Sequence, residues 1–269
     1  MENATLRQYD MEERALGDPL SYAMASRDGD LMRLVGDALD ASRAQLAFHP
    51  IVSAKSDGHV VFYEGLLRLS DDRERVIPAG HFMPMVEEST LGRRLDCLAL
   101  RLALRELSVR SDLRLSINVS ARSIGDGEWR RALDRGLAGR DDIGPRLILE
   151  ISETSAMLLA ENVIRFMHEM QPQGVCFALD GFGAGFTAFR HLKDFFFDVA
   201  KIDKSFVRGI DADADNQVLT EALVTVAHQF EMFAIADGVE TLGEARFLRE
   251  IGIDCLQGYL FGMPTFDLG

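Results

Sequence analysis

The sequence lacks several features that would assign its class directly. None of its apolar runs approaches the roughly 20 residues that a membrane-spanning helix needs, so we expect no membrane span. Cysteine is scarce, and Cys97, Cys176 and Cys255 are odd in number, far apart and set in apolar segments. We therefore expect buried free thiols rather than a disulfide framework or a zinc site, in a reducing, cytoplasmic compartment.

Basic charge is also in short supply. The 29 Lys and Arg residues stand against 43 Asp and Glu, which gives a net charge of −14. Proteins that bind nucleic-acid polymers neutralise phosphates with basic surface, so we expect no such partner. The first 20 residues mix charges without an apolar centre, unlike a secretory signal. A phosphate-bearing ligand would depend on metal ions and a few placed cations.

What the chain does have is alternation of strand and helix. With 47% hydrophobic residues, its 269 residues suit one domain of barrel size or two smaller ones. The periodicity predicts helices over Arg94–Leu107, Asn162–Met170 and Val218–Phe230. The predicted strands are Gln45–Val52, Val60–Leu69, Leu113–Val119, Leu147–Ile151, Val175–Asp180, Val199–Ile202, Phe233–Ala236 and Cys255–Leu260.

The link between the first two strands decides the topology. It is only SAKSDGH and contains Asp57-Gly58, a hairpin turn signal. A hairpin makes this pair antiparallel, which a regular eight-fold barrel does not allow. We predict an α/β protein whose residues 44–269 form a modified (β/α)8, TIM-like barrel with an antiparallel first strand.

Residues 1–43 differ from the rest, being polar and poor in β-branched residues. Asp28 or Asp30 could cap a helix that runs through Leu31, Leu34 and Leu39. We interpret this segment as a helical extension that packs on the domain or on a protein partner. A partly ordered tail is the alternative.

Six short apolar runs end on, or contain, one polar residue. An unpaired charge in a buried strand costs several kcal/mol, so such residues need a reason. Parallel barrels place them at the carboxyl ends of strands, around one pocket. The residues are Asn118, Glu150, Asp180, Lys201, Asp237 and Gln257.

Oxygen ligands predominate among the strand residues. Glu64, Asn118, Glu150 and Asp180 would supply three carboxylates and an amide from four separate strands. This set suits magnesium, manganese or calcium and is wrong for zinc or copper.

At this point a resemblance becomes clear. From Gln45 to Pro264 the chain resembles the bacterial EAL domain, the family that hydrolyses cyclic di-GMP to pGpG. The matching segments are FHPIV, YEGLLRL, INVSARSI, LEISET, ALDGFGAGF, KIDKSFV, ADGVET and QGYLFGMP, in the order of the family. The family fold, a (β/α)8-like barrel with an antiparallel first strand, agrees with the short first loop.

The resemblance implies roles for the polar residues. Glu64, Asn118, Glu150 and Asp180 would hold a first metal, magnesium or manganese, while calcium could bind without turnover. The implied catalytic residues are Lys201, Asp237 and Glu153, of which Glu153 holds the loop that follows Asp180. Glu153 could instead be a helix N-cap partner. The implied ligand-binding residues are Glu64, Leu66, Arg68, His49, Asp203 and Gln257.

Several of these roles have alternatives. Arg68 would pair bidentately with a ligand phosphate, or it could form an ordinary salt bridge at the rim. His49 replaces the usual glutamine of the family near the base pocket, either as a base contact or as a packing replacement. The glycine-rich segment 181–186 could cradle a phosphate, but we interpret it as the hinge of the metal-site loop.

The chain departs from the family at its second metal site. The paired aspartates of the family become Asp180-Gly181, and the glutamate of its AEGVET motif becomes Asp237. Glycine offers no ligand, and aspartate is shorter by about 1.5 Å. Such sites use two ions to activate water and clamp the reacting oxygens. The change of EAL to EGL is expected to have little effect.

Three functions follow. The first is a receptor that binds cyclic di-GMP with little or no hydrolysis and signals to a protein partner through residues 1–43 or to a second copy in a homodimer. The second is a working phosphodiesterase in which Asp237 reaches the second metal through a water and another acid compensates for Gly181. The third is a scaffold that binds neither. We favour the first.

Overall fold

The computed structural model describes residues 19–55, 58–77, 79–86, 89–185 and 189–268. These residues form two compact units. The smaller comprises residues 19–44 and 69–92, and the larger comprises residues 45–68 and 93–268. The predicted division into a 1–43 extension and a 44–269 barrel stays a prediction. The strands are β1 Ala44–Ser53, β2 Val60–Ser70, β3 Val76–Ile77, β4 Leu115–Asn118, β5 Leu147–Ser152, β6 Cys176–Phe182, β7 Val199–Ile202, β8 Phe233–Ala236 and β9 Cys255–Gln257.

The larger unit is a closed barrel of eight strands. Its order is β1-β9-β8-β7-β6-β5-β4-β2, and a pairing between β1 and β2 closes the ring. Strand β1 runs antiparallel to β9, with Ile51 opposite Gln257, whereas β2 and β4–β9 pair in parallel. The predicted modified barrel with a reversed first strand is confirmed.

In the larger unit, helices cover the outside of the barrel, and six of them begin at a side chain that caps backbone N–H groups. Each such bond is accepted by the residue before the helix: Ser120, Asp126, Ser152, Asp203, Asp213 and Thr241. The helices are α1 Pro19–Asp40, α2 Ala79–Val86, α3 Thr90–Val109, α4 Ala121–Ile124, α5 Gly127–Leu137, α6 Glu153–Leu158, α7 Ala160–Met170, α8 Lys204–Val207, α9 Ala214–Gln229 and α10 Leu242–Glu250. Three of these, α3, α7 and α9, match the predicted helices within a few residues. Strand β3 and helices α2, α4–α6, α8 and α10 were not predicted from the sequence.

One apolar layer fills the middle of the barrel. Seven strands each contribute one buried residue to it: Ile51, Phe62, Ile148, Ala178, Val199, Ile235 and Cys255. Strand side chains alternate between faces, so the residue two positions further along each strand also points inward. In β2 and β4–β9, which run in parallel, this next layer lies toward the carboxyl ends. In β1, which is reversed, it contains His49.

Strand β9 is shorter than predicted. It ends at Gln257, and the prediction that it continues to Leu260 is wrong. Gly258 has φ 152°, and a Cβ atom there would lie 2.1 Å from the Val239 carbonyl oxygen. The close approach of these two backbones turns the chain out of the sheet directly after Gln257.

The smaller unit contains α1, β3 and α2. Val35 and Ala38 are fully buried, and β3 pairs antiparallel with the end of β2. Helix α1 begins at Pro19, so the prediction that Asp28 or Asp30 caps it is wrong. No helix among the described residues is long and apolar enough to cross a membrane.

Candidate functional site

The polar residues predicted from the strand ends meet in one layer of the barrel. Each lies two positions beyond the central apolar layer, on the carboxyl side of it. Five side chains of this layer are at least nine-tenths buried: His49, Glu64, Glu150, Lys201 and Gln257. Asn118, Asp180 and Asp237 are more exposed. The structure therefore brings together residues that are up to 208 positions apart.

Lys201 occupies the centre of this layer and is 2% exposed. Its Nζ donates to Glu150 Oε2 at 2.7 Å and to Glu64 Oε2 at 3.2 Å. Asp180 Oδ1 lies 3.8 Å away. One ammonium group thus neutralises part of the charge of three carboxylates from three different strands.

Hydrogen bonds to both carboxylate oxygens of Glu64 fix the orientation of its side chain. Asn118 Nδ2 donates to Glu64 Oε1 at 2.8 Å, and Gln257 Nε2 donates to Glu64 Oε2 at 2.7 Å. Because Asn118 uses its amide nitrogen here, its carbonyl oxygen remains available to a ligand.

The charges in this layer shift one another's pKa. Burial lowers the pKa of Lys201, but the carboxylates of Glu150, Glu64 and Asp180 outweigh it and raise that pKa well above its usual value. Burial, and then the charge of Glu64, raises the pKa of Glu150 to about 8, against the effect of Lys201. Two buried carboxylates share one cation, so the raised pKa belongs to the pair.

His49 and Gln257 form a buried pair beside Glu64. Gln257 Nε2 lies 3.0 Å from His49 Nδ1 and has both hydrogens engaged, by His49 and by Glu64. His49 Nδ1 is then an acceptor, and its proton is on Nε2. Burial lowers the pKa of His49, which favours this neutral form. His49 Nε2 and Gln257 Oε1 are buried without partners.

The oxygen donors of this layer are chemically suited to a hard divalent cation. Their present arrangement does not form a coordination site. Among the described residues, no three His, Cys, Asp or Glu side chains are placed to hold a metal ion. Lys201 stands between the acids instead. However, Glu150 Oε1 is buried with no partner, and one ammonium faces the carboxyl groups of Glu64, Glu150, Asp180 and Asp237. This excess of buried negative charge and the free oxygen favour a bound cation.

Gly181 and Asp237, where the sequence is expected to depart from the second metal site of the family, lie at or next to this layer. Gly181 follows Asp180 in β6 with φ 72°, and nothing lies within 4 Å of the position of a Cβ atom. Asp237 follows β8, and its backbone N–H donates to Ile202 at 3.2 Å. Burial, despite the attraction of Lys201, raises the pKa of Asp237. There is space at Gly181 for a side chain, but none is present.

Glu153 holds the loop after β6 in place through a hydrogen bond. Glu153 is 3% exposed, and its Oε2 accepts a bond of 2.8 Å from the Gly183 N–H. Ser152, not Glu153, is the N-cap of α6. Asp203 caps α8 by accepting from the Ser205 N–H at 2.9 Å.

Arg68 and Leu66 lie on β2, on the same face as Glu64, and both are half-buried. The Arg68 guanidinium donates to the neighbouring Leu67 carbonyl at 3.2 Å. Among the described residues it has no carboxylate partner, so the salt bridge that we had considered does not form there. The sequence predicted Lys201 near these acids, but it did not predict the direct hydrogen bonds of Lys201 to Glu64 and Glu150.

Comparison with known proteins assigns the family. The chain matches the EAL domain over residues 33–264 and therefore belongs to the EAL domain family. It is 30% identical over 237 residues to the cyclic di-GMP phosphodiesterase NbdA of Pseudomonas aeruginosa, covering 84% of this chain and 30% of that protein. It is 27% identical over 247 residues to the bifunctional diguanylate cyclase/cyclic di-GMP phosphodiesterase MucR of the same organism, covering 90% of this chain and 36% of that protein.

The chain thus spans about a third of the length of these relatives. A solved structure, the PaMucR phosphodiesterase in complex with c-di-GMP, superimposes with a TM-score of 0.80 at 26% identity. The superposition covers 88% of this chain and 97% of that one. EAL phosphodiesterases depend on divalent metal ions, and relatives of this chain bind cyclic di-GMP.

Proposed function

We propose that this EAL domain binds cyclic di-GMP and hydrolyses it slowly or not at all. The observation that carries the proposal is Gly181, a residue without a side chain at the position where the family has its second aspartate. Asp237, the other altered position, is one methylene shorter than glutamate. The four residues proposed for the first metal, Glu64, Asn118, Glu150 and Asp180, are all retained.

The ligand would be held by charge and by the retained residues. A divalent cation on Glu64, Asn118, Glu150 and Asp180 would bind a phosphate oxygen and neutralise its charge. Arg68 lies on β2 and has no carboxylate partner among the described residues, so it would pair with a phosphate of the ligand. Lys201 holds Glu64 and Glu150 in place by hydrogen bonds within the same layer. Binding then needs one ion, whereas fast hydrolysis needs two.

A phosphodiesterase is the second candidate, and one observation favours it. The Asp237 carboxyl group is close enough to Lys201, Glu64 and Asp180 for their charges to alter its pKa. Asp237 is therefore part of the same charged layer and could reach a second ion through a water, an arrangement common for magnesium.

Titration calorimetry with cyclic di-GMP tests the binding proposal. We expect saturable binding that magnesium strengthens, and Glu64→Ala should weaken it at least about tenfold because a ligand of the cation and the anchor of Asn118 and Gln257 are lost. Glu161→Ala, on the exposed face of α7, is the control. Unchanged affinity in Glu64→Ala would remove Glu64 from the ligand set, and no binding at all would favour a scaffold.

A further inference from the structure

A cavity opens at the amino end of the barrel, on the opposite side of the apolar layer from the charged layer. Its volume is about 430 Å³. Its floor consists of residues of the central layer, among them Phe62, Ile148, Val199, Ile235 and Cys255. Cavities of this size hold small organic ligands.

The sequence explains why this end stays open. Three inward layers fill a regular parallel barrel. The third layer here would come from residues two positions before the central layer, or two after it in β1. These include Ser53, Arg114, Cys176 and Phe233. Ser53 and Cys176 are small, whereas Arg114 and Phe233 extend into solvent, with Phe233 63% exposed. The layer therefore leaves a hole above an apolar floor.

The acidic groups at this mouth are already engaged. Asp198 Oδ2 accepts from the Phe177 N–H at 2.8 Å, and Asp254 Oδ2 accepts from the Ala234 N–H at 2.9 Å and lies 2.7 Å from His228 Nε2. Each aspartate thus satisfies the exposed N–H of a neighbouring strand. These carboxylates maintain the barrel end.

The cations at the mouth are less engaged. The Arg114 guanidinium has no carboxylate partner among the described residues. Lys55 is 82% exposed and reaches Asp254 Oδ1 only at 3.7 Å. Both lie on one arc of the rim, because β1, β2 and β4 are adjacent in the closed barrel. An apolar cavity with the Arg114 guanidinium at its rim, and Lys55 only loosely paired beside it, complements an amphipathic anion.

We propose that the amino-end cavity binds a small carboxylate with an apolar body, such as a medium-chain acyl or a phenylalkyl carboxylate. The apolar body would lie on Phe62, Ile148 and Ile235, and the carboxylate would pair with Arg114, assisted by Lys55. Arginine suits this task because its planar fork binds a carboxylate bidentately. The site is separate from the charged layer and does not depend on the function proposed for it.

Calorimetric titration of the whole chain with octanoate, 3-phenylpropionate and octan-1-ol tests the proposal. We expect saturable binding of at least one carboxylate at a single site. Preference for octanoate would identify an acyl ligand, and preference for 3-phenylpropionate an aryl one. Arg114→Gln should weaken carboxylate binding about tenfold and leave octan-1-ol unaffected, whereas Arg105→Gln on exposed α3 should change neither.

Filling the cavity gives an independent arm. Cys176→Phe and Ser53→Phe each enlarge an inward residue of the mouth and should abolish binding of every probe, while Ser108→Phe on exposed α3 should not. Circular dichroism checks the folding of each variant, and either filled variant suffices. Absence of saturable binding in the unaltered chain, or equal binding in a folded filled variant, would overturn the proposal.

Discussion

The two ends of this barrel use the same strands for opposite purposes. On the carboxyl side of the central apolar layer, the next inward residues are charged or amide-bearing, and they bond to one another across strands, as Lys201 does with Glu64 and Glu150. On the amino side, the polar groups of Asp198 and Asp254 bond mainly to backbone N–H groups. A step of three residues, from Asp198 to Lys201 or from Asp254 to Gln257, therefore leads from structural polar groups to a candidate site for ligand chemistry.

The largest effect should come from removing the cation at the centre of the charged layer. Lys201→Met leaves Glu64 and Glu150 buried without a counter-charge, so we expect the free energy of unfolding to fall by about 3–5 kcal/mol without divalent metal. Added magnesium or manganese should restore much of this stability, because the acids can then bind it without competition from an ammonium group.

Urea unfolding with and without metal measures this effect. Lys193→Met, at an exposed position, is the control and should be neutral. An equal loss of stability in Lys201→Met at all metal concentrations would mean that the charged layer does not hold a cation.

Restoring both altered positions should give the next largest effect. Gly181→Asp together with Asp237→Glu supplies the two missing carboxylates, so we expect pGpG formation from cyclic di-GMP to rise at least about a hundredfold. The φ of 72° at residue 181 costs a non-glycine residue about 1 kcal/mol, and aspartate tolerates it better than most. Gly181→Ala with Asp237→Glu has the same backbone strain without the ligand. If the double variant binds cyclic di-GMP normally yet gains no hydrolysis, our account of the defect is wrong.

The charged layer should also make stability depend on pH. The pKa of Glu150 is raised from 4.5 to about 8, so between these values the folded state keeps a proton that the unfolded state has released. Stability without metal should therefore fall as the pH rises from 5 to 8, and Glu150→Gln should flatten the slope. Thermal unfolding across this range checks the sign. A rise in stability with pH that Glu150→Gln leaves unchanged would contradict it.

The smallest effect is expected at the opposite end. Asp254→Ala leaves the Ala234 N–H and His228 without a partner, which should lower the free energy of unfolding by about 1–3 kcal/mol. Because Asp254 lies at the amino end, the affinity for cyclic di-GMP should not change. A loss of that affinity in a folded Asp254→Ala variant would show that the two ends are coupled.

The sequence predicted the barrel because two signals were local. Asp57 and Gly58 marked the hairpin, and apolar runs marked the strands of the closed ring. The position of Glu150 and Lys201 at or near the carboxyl ends of predicted strands likewise predicted that they lie around one pocket. Short helices such as α4 and α8 were not predicted, because one turn contains too few residues to reveal a periodicity.

The contacts within the site could not be predicted in the same way. That Lys201 lies among the acids, and that Gln257 joins His49 to Glu64, depends on the register of neighbouring strands and on side-chain directions. The end of β9 at Gln257 depends on the approach of Val239 to Gly258, a contact between distant segments. Contacts of this kind join residues that are distant in sequence, so the sequence alone does not reveal them.

The central claim is that this EAL domain binds cyclic di-GMP without efficient hydrolysis. The most direct test is chromatography of cyclic di-GMP and pGpG after hours of incubation with an excess of substrate over protein, first with magnesium and then with manganese. The account predicts that the cyclic dinucleotide is recovered intact or with only a trace of pGpG. Steady multiple turnover to pGpG, lost in Asp237→Ala, would contradict it and establish the domain as a phosphodiesterase.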